Sequence, residues 1–207
     1  MECPRCLKIP ELCVCDQIKV HTPRIQVLIL QHPQEPDKDL GTARLAHLAL
    51  QNSVIKIGLS WRNLSAAWGK TVASANWGVL YLGSGIKSDR PPAPGLTWVD
   101  KKGVPLPNQK EVQKQIEGIV VIDGTWSQAK ALWWRNAWLL KLRRAVLHPT
   151  HKSLYGELRR EPRRECVSTL ETIADTLVSL GEDAKLGADL RSVFSELLKK
   201  QRARKKR

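Results

Sequence analysis

The chain has 207 residues, which is enough for one core-bearing domain with a small appendage and too few for two ordinary domains. Its 42% hydrophobic and 26% charged residues are typical of a globular protein and exclude the collagenous, wholly disordered and membrane-embedded classes. The 34 Lys and Arg residues outnumber the 20 Asp and Glu residues and give a formal net charge of +14. This excess favours an anionic partner, above all nucleic acid, although a solvated basic face is the simpler alternative.

The first residues carry four cysteines in the pattern C-x2-C-x6-C-x-C, at Cys3, Cys6, Cys13 and Cys15. Four thiolates suit a tetrahedral zinc ion, and a site closed by four protein ligands is typical of a structural metal. The alternative is two disulfides in an exported protein, but no apolar run of a signal peptide precedes or includes these cysteines. We therefore expect a zinc-binding module at residues 1–22 of a cytoplasmic protein without a membrane span.

A strand, a loop and a helix follow the cysteines. Residues 25–30 form an unbroken apolar run, which is typical of a buried strand in a parallel sheet. A Pro-rich loop comes next, and Thr42 stands where it would cap a helix that continues through Leu50. The pattern then predicts a strand at 54–59, a short amphipathic segment at 61–68 and a strand at 77–82.

Residues 86–108 contain five prolines and no sustained apolar period, so we expect an excursion outside the sheet. Residues 118–122 are the clearest strand of the chain and end at Asp123. After Asp123 the spacing of the apolar residues changes to that of a helix, which predicts a helix over 127–140. The inward residues of that helix are expected to be Ala129, Leu132, Trp133 and Ala137. A short strand at 145–147, a helix opened by Ser168 and a last helix around 190–198 complete the pattern.

The alternation of strands and helices predicts an α/β fold with a mostly parallel sheet and helices on both faces. In such sheets ligands bind beyond the carboxyl ends of the strands. Four candidate positions stand at predicted strand ends, namely His32, Glu35, Gly83 and Asp123. Gly83-Ser84-Gly85 lacks the remaining glycine and helix of a dinucleotide motif.

Asp123 is the strongest candidate for chemistry because Gly124 follows it and lets a ligand approach closely. A carboxylate there can act as a general base or orient a reacting group. The alternative is that Asp123 only stabilises the entrance of the next helix. Glu171 has a structural explanation too, because Ser168 and Glu171 form the sequence of a capping box. Trp126 fits a core position as well as a pocket wall.

Five motifs stand in order along the chain. They are the cysteine pattern, H-P-x-E (His32, Pro33, Glu35), D-G-T-W at 123–126, the segment from Tyr155 to Arg159, and S-T-L-E at 168–171. Together they resemble the DTW-domain family over nearly the whole chain. Its members are tRNA-uridine aminocarboxypropyltransferases that use S-adenosylmethionine. The resemblance implies a SPOUT-like knotted core in a catalytic domain at 23–198, followed by a basic tail at 199–207.

The resemblance also implies a set of site residues. It makes Asp123 the catalytic carboxylate. Around the same pocket it places the residues expected to bind S-adenosylmethionine, which are Thr42, Leu82, Gly83, Asp123, Thr125, Trp126, Ser168 and Thr169.

The implied reaction is attack by N3 of a tRNA uridine on the 3-amino-3-carboxypropyl arm, with release of methylthioadenosine and with Asp123 as the base. Two alternatives stay open, an RNA methyltransferase that uses the same co-substrate and a zinc-containing RNA-binding protein without turnover. No obligate protein partner is inferred. Candidate phosphate contacts are the tail and the arginines 143, 144, 159, 160, 163 and 164.

Overall fold

The computed structural model describes residues 2–36, 38–80, 94–158 and 167–205. The strands are β1 (Gln26–Gln31), β2 (Ser53–Ile57), β3 (Trp77–Leu80), β4 (Gly95–Val99), β5 (Gly118–Asp123) and β6 (Arg143–His148). The α-helices are α1 (Ala43–Ala49), α2 (Leu64–Trp68), α3 (Gln109–Gln115), α4 (Trp126–Arg135), α5 (Thr169–Ser179) and α6 (Ala184–Lys205). The strands form one sheet in the order β2-β1-β5-β3-β6-β4.

Strand pairs in this sheet are parallel except for β4, which runs antiparallel to β6 at one edge. The predicted α/β class with a mostly parallel sheet is therefore confirmed. Because β1 and β5 are neighbours in register, their last residues Gln31 and Asp123 lie side by side. This pairing places Asp123, the predicted catalytic residue, next to the polar last residue of β1.

Both faces of the sheet are covered, and alternate residues of β1 show how. Val27 and Ile29 join the larger apolar core, to which α1, α5 and α6 contribute. Leu28 and Leu30 join a second core with α2 and with Trp133 of α4. Buried strands of this kind lack the polar alternation of half-exposed strands, which is why their apolar runs are continuous in the sequence. We refer to the two sides as the α6 face and the α4 face.

The cysteine segment packs on the α6 face. Its buried residues Cys6, Leu12 and Val14 belong to the larger core. The ammonium of Lys200, on α6, donates a 2.5 Å hydrogen bond to the carbonyl of Cys13. Part of the segment's stability therefore comes from contacts with the rest of the protein.

The expectation that residues 86–108 form an excursion outside the sheet was wrong. Residues 95–99 form β4, which pairs with β6 inside the sheet, and the chain then enters α3. A proline before an edge strand does not interrupt a ladder, because β4 pairs on one side only. The strand is also fixed by packing, since a Cβ atom at Gly78 would come within 2.7 Å of the Trp98 ring.

The predicted helix over 127–140 is also too long. Helix α4 ends at Arg135, and a 3-10 turn follows at Ala137–Lys141. Ala129 and Leu132 are buried as expected, but Trp133 is half-buried and Ala137 is exposed. The buried amide of Asn136 ends the helix, because it accepts hydrogen bonds from the backbone N–H of Trp61 and the indole of Trp138. This competition with the helical ladder is typical of Asn.

Helix α6 continues well past the predicted region at 190–198 and reaches Lys205. Most of the basic tail is therefore helical. Among the helices of the described residues, none is both long and apolar enough to cross a membrane.

Candidate active site

Asp123 is held at the end of β5 by donors to both of its carboxylate oxygens. The side-chain amide of Gln31 donates a 2.8 Å hydrogen bond to Oδ2. The hydroxyl of Thr169, in the first turn of α5, donates to Oδ1. With only 8% of its surface exposed, Asp123 has a fixed orientation. Sequence reasoning missed Gln31, although a polar residue that ends an apolar strand beside another strand end was a usable signal.

A cavity of about 370 Å³ opens at this edge of the sheet. Its volume lies within the range of small-molecule sites, roughly 300–1,000 Å³. Five of the predicted site residues line it, namely Thr42, Asp123, Thr125, Ser168 and Thr169. Trp126 is half-buried and is not among the described residues of the lining. Leu82 and Gly83 lie outside the described residues.

The N-termini of α4 and α5 both meet this cavity. Thr125 caps α4 in a reciprocal capping box with Gln128, and Ser168 caps α5 in the same way with Glu171. The capping box expected from the sequence of α5 is therefore confirmed. Because a helix N-terminus carries a partial positive charge, the two helices favour an anionic group at the cavity.

Thr42 lies at the start of α1, but its side chain does not cap that helix. Its hydroxyl oxygen accepts a 3.2 Å hydrogen bond from the backbone N–H of Leu170. The expected capping role of Thr42 is therefore wrong. The residue instead joins the start of α1 to the start of α5 at the cavity wall.

Glu171 does more than close a capping box. Its fully buried carboxylate also accepts hydrogen bonds from the backbone N–H of Leu154, at 2.8 Å, and from the hydroxyl of Ser153, at 3.2 Å. Tyr155, which follows Leu154 in the chain, lines the cavity and donates a 2.9 Å hydrogen bond to the carbonyl of Leu40. Glu171 thus positions part of the cavity wall without lining the cavity.

The loop after β1 supplies a second carboxylate to the cavity. Glu35 is buried, lines the cavity and forms an ion pair with Lys38, whose side chain is partly exposed. His32 is not part of the described lining, and its Nδ1 accepts a hydrogen bond from the backbone N–H of Gln34 at 3.3 Å. Of these two loop residues, the structure brings only Glu35 to the site.

The four cysteines of the amino-terminal pattern come together, with all four Sγ atoms within 4.8 Å of one another. The Sγ atoms of Cys3 and Cys15 are 3.8 Å apart, and those of Cys6 and Cys13 are 3.7 Å apart. A tetrahedron with Zn–S bonds of about 2.3 Å has sulfur–sulfur edges of about 3.8 Å. The cluster therefore fits a tetrahedral metal ion.

The cysteines differ in their electrostatic surroundings, and the turn next to Cys6 has an unusual backbone conformation. Backbone hydrogen bonds from Cys6 and Arg5 lower the pKa of the Cys3 thiol to about 6, whereas burial raises the pKa of Cys6. Leu7 has a φ of 59°, in the left-handed region that costs a non-glycine residue free energy. A strained residue persists only where the surrounding structure fixes its backbone, so other bonds must hold the turn next to Cys6.

Comparison with known proteins places this arrangement in a family. The family model described as "DTW domain" matches residues 1–202. The chain belongs to the DTW-domain family. The resemblance carried by the five motifs is thereby confirmed.

The DTW protein is similar to several curated proteins. It is 30% identical to tRNA-uridine aminocarboxypropyltransferase 2 of Macaca fascicularis, over 85% of this chain and 55% of that protein. It is 29% identical to the Drosophila melanogaster protein of the same name, over 97% of this chain and 74% of the relative. It is 27% identical to tRNA-uridine aminocarboxypropyltransferase A of Arabidopsis thaliana, over 96% and 80% of the two chains.

The DTW chain thus spans about half the length of the macaque relative. No solved structure matches it significantly.

Proposed function

We propose that the protein transfers the 3-amino-3-carboxypropyl group of S-adenosylmethionine to N3 of a uridine in tRNA and releases methylthioadenosine. The observation that carries the proposal is the Asp123 carboxylate, fixed by two donors at the wall of a cavity where two helices begin. The names of the similar proteins from macaque, fly and Arabidopsis support the same reaction.

In this proposal Asp123 is the general base. The neutral imide N3 of uridine is a poor nucleophile, and a carboxylate that takes its proton contributes about 10² to 10⁴ in rate. N3 then forms a bond to the carbon of the arm that is attached to sulfur, while the bond between that carbon and sulfur breaks. The electron pair of that bond stays on sulfur, which leaves as a neutral thioether. Gln31 and Thr169 keep the carboxylate oriented throughout.

The charges of the cavity suit the co-substrate. The arm of S-adenosylmethionine ends in a carboxylate, which the N-termini of α4 and α5 favour. Its sulfonium and ammonium are cations, which the carboxylates of Asp123 and Glu35 favour. The residues proposed to surround the co-substrate are Thr42, Leu82, Gly83, Asp123, Thr125, Trp126, Ser168 and Thr169.

Rate enhancement beyond the base comes from alignment of the nitrogen, the carbon and the sulfur. Holding reactants in line is worth roughly 7–11 kcal/mol. Which of the two alkyl arms of the sulfonium faces the uridine decides between aminocarboxypropyl and methyl transfer. The walls fixed by Glu171 and Thr42 are proposed to set that choice.

The remaining assignments are proposals of the same kind. We assign a structural zinc ion to the four cysteines, in a module at residues 1–22 that precedes a catalytic domain at 23–198. The basic residues at 199–207 are proposed to contact tRNA phosphates. A SPOUT-like knot is also proposed, and an experimental structure of the whole chain would test it.

The position of an isotope label tests the reaction. Purified protein is incubated with tRNA and S-adenosylmethionine labelled in either the carboxyl or the methyl carbon, and the nucleosides are separated by mass spectrometry. Carboxyl label in a modified uridine is the expected result. Methyl label alone would indicate a methyltransferase, and bound but unmodified RNA would indicate a binding protein without turnover.

The matched variant is Asp123→Asn, which keeps the shape of the side chain. We expect it to bind both substrates and to lose at least about a hundredfold in turnover. Turnover at the unsubstituted rate would rule out Asp123 as the base.

A further inference from the structure

The α4 face has an unusual charge distribution. Residues 53–80 and 124–148, which supply α2, α4 and the strands beneath them, contain no Asp or Glu. The same two ranges contain eight cations, which are Lys56, Arg62, Lys70, Lys130, Arg135, Lys141, Arg143 and Arg144. The α6 face differs, because its helices pair cations with acids, as in Arg191–Asp175 and Lys199–Glu196. The two chain segments that supply α2 and α4 therefore carry charge of one sign only.

Large apolar side chains are exposed near the end of α4. Trp134, in the last turn of α4, is 78% exposed, and Leu59, whose carbonyl accepts a hydrogen bond from Asn136, is 37% exposed. A tryptophan is rarely left this open to solvent, because burying it is strongly favourable. An exposed indole next to exposed cations therefore indicates a contact with another molecule.

Hydrogen bonds hold these residues on one rigid surface. The amide of Asn136 donates to the carbonyl of Leu59 at 3.0 Å, and the hydroxyl of Ser60 donates to the carbonyl of Arg135 at 3.1 Å. The loop after β2 and the end of α4 are thereby fixed against each other. We name this surface the Trp134 surface and define it by Leu59, Arg62, Trp134 and Arg135.

The Trp134 surface begins beside the candidate active site. Gln31 is in register with Asp123 on one side and with Ile57 on the other. Because neighbouring strands lie about 4.8 Å apart, Ile57 is about 10 Å from Asp123 along the same edge of the sheet, and Leu59 of the Trp134 surface follows it by two residues. Helix α4 also starts at the cavity, and Trp134 follows Thr125 by nine residues, or about 13 Å of helix.

We propose that the Trp134 surface binds single-stranded RNA next to the uridine in the active site, with an unpaired base stacked on the indole of Trp134. This inference rests on the proposed function. Arg62 and Arg135, both exposed, lie beside the phosphates of that strand. Aromatic side chains that stack bases, placed among cations that follow the backbone, are the usual means of binding single strands. A surface that binds a protein usually presents charges of both signs. Residues 53–80 and 124–148 carry only positive charge, which favours RNA over a protein partner.

The test is tRNA binding by Trp134→Ala, measured by fluorescence anisotropy, with Trp134→Phe and Val20→Ala for comparison. Val20 is a matched control because it is also apolar and 55% exposed. We expect Trp134→Ala to weaken binding about tenfold, Trp134→Phe to retain most of the affinity, and Val20→Ala to change nothing. Since Trp134 is exposed, thermal melting should show that all three variants fold.

A salt series adds an independent measurement. The double variant Arg62→Gln, Arg135→Gln should reduce the log–log salt slope of binding by about 1.4, which corresponds to two phosphates on a single strand. Affinity of Trp134→Ala within twofold of the unsubstituted protein, or an unchanged slope in the double variant, would overturn the inference. Loss of self-association in Trp134→Ala with tRNA binding intact would overturn it in favour of a second copy of the chain.

The label experiment separates this inference from the proposed function. If the unsubstituted protein transfers the carboxyl label but Trp134→Ala has the same tRNA affinity, the surface is assigned wrongly and the function stands. If the unsubstituted protein transfers no label yet its tRNA binding depends on Trp134, the surface stands and the function fails.

Discussion

The buried ammonium of Lys8 donates a 2.7 Å hydrogen bond to the backbone carbonyl of Asp39 and a 3.4 Å one to that of Lys38. Burial lowers the pKa of Lys8, while the nearby Cys6 thiol and Asp39 carboxylate act in the opposite direction. Lys8 belongs to the cysteine segment, and Lys38 lines the candidate active site. The cysteine cluster and the cavity loop are therefore joined by one side chain.

Metal removal should consequently disturb the cavity as well as the cysteine segment. We expect one zinc ion per chain by mass spectrometry of the purified protein. A strong chelator should lower the melting temperature by at least about 5 °C, because a metal-closed segment of this size takes much of its folding free energy from the ion. Amide hydrogen exchange should also become faster at residues 38–42, which supply part of the cavity lining.

Cys6→Ser should reproduce both effects, whereas Cys166→Ser, which changes the fifth cysteine of the sequence, should not. A protein that keeps its melting temperature and its exchange pattern after complete metal removal would contradict this prediction.

Thr169→Val should impair turnover with little effect on folding. The variant keeps the size of the side chain but loses the hydroxyl that donates to Asp123. A hydrogen bond to a charged group is worth about 1.5–3 kcal/mol, so kcat should fall roughly tenfold or more. Thr169→Ser retains the hydroxyl and should restore most of the activity in steady-state kinetics. Equal kcat values for the Val and Ser variants would show that the hydroxyl does not serve Asp123.

Asn136→Ala should destabilise the protein by about 3 kcal/mol. The Asn136 side chain is fully buried and makes four hydrogen bonds, donating to Leu59 and Leu132 and accepting from Trp61 and Trp138. Truncation leaves several buried groups without partners, at about 1–3 kcal/mol each. Urea unfolding measures the loss.

Asn63→Ala is a suitable comparison, because it removes only a cap on α2 and should cost about 1 kcal/mol. An Asn136 variant no less stable than the Asn63 variant would contradict the assigned role.

The His151–Asp175 pair should make stability depend on pH. Partial burial acts to lower the pKa of His151, but the carbonyl of Lys152 and the carboxylates of Asp175 and Glu171 outweigh it, so the pKa is raised. A raised pKa in the folded state contributes stability that is fully present below the ordinary value of about 6.5. That contribution is lost as the pH rises through the folded-state pKa.

NMR titration should therefore show His151 with a pKa above 6.5, and Asp175→Asn should lower it. His151 lies 3.1 Å from Asp175, which Arg191 also contacts, at 2.6 Å. An unshifted titration in Asp175→Asn would mean that Asp175 does not hold the imidazolium.

Those parts of the fold that depend on local pattern could be predicted from the sequence. The apolar runs of β1 and β5 and the capping box of Ser168 and Glu171 are local signals, and the structure has all three. Strand β4 was missed because it is short, follows several prolines and depends on pairing with β6. Helix α3 was missed because only Val112 of its residues is buried, so it has almost no apolar period.

The candidate site was predicted in outline and missed in its contacts. The D-G-T-W and S-T-L-E motifs indicated Asp123 and Thr169 separately, and the fold brings them together. The role of Gln31 depends on the register of β1 with β5, which no single segment specifies. Thr42 likewise bonds to Leu170 rather than to its own helix, a tertiary contact that overrides the local capping preference.

The two donors that hold Asp123 come from positions 92 residues before it and 46 residues after it. During synthesis, β1 and β5 can pair as soon as both have left the ribosome, but the wall that α5 provides is translated later. A nascent chain therefore passes through a stage in which the carboxylate faces an open crevice. The cavity is complete only when α5 has docked, so a slow docking step would delay activity rather than the pairing of β1 with β5.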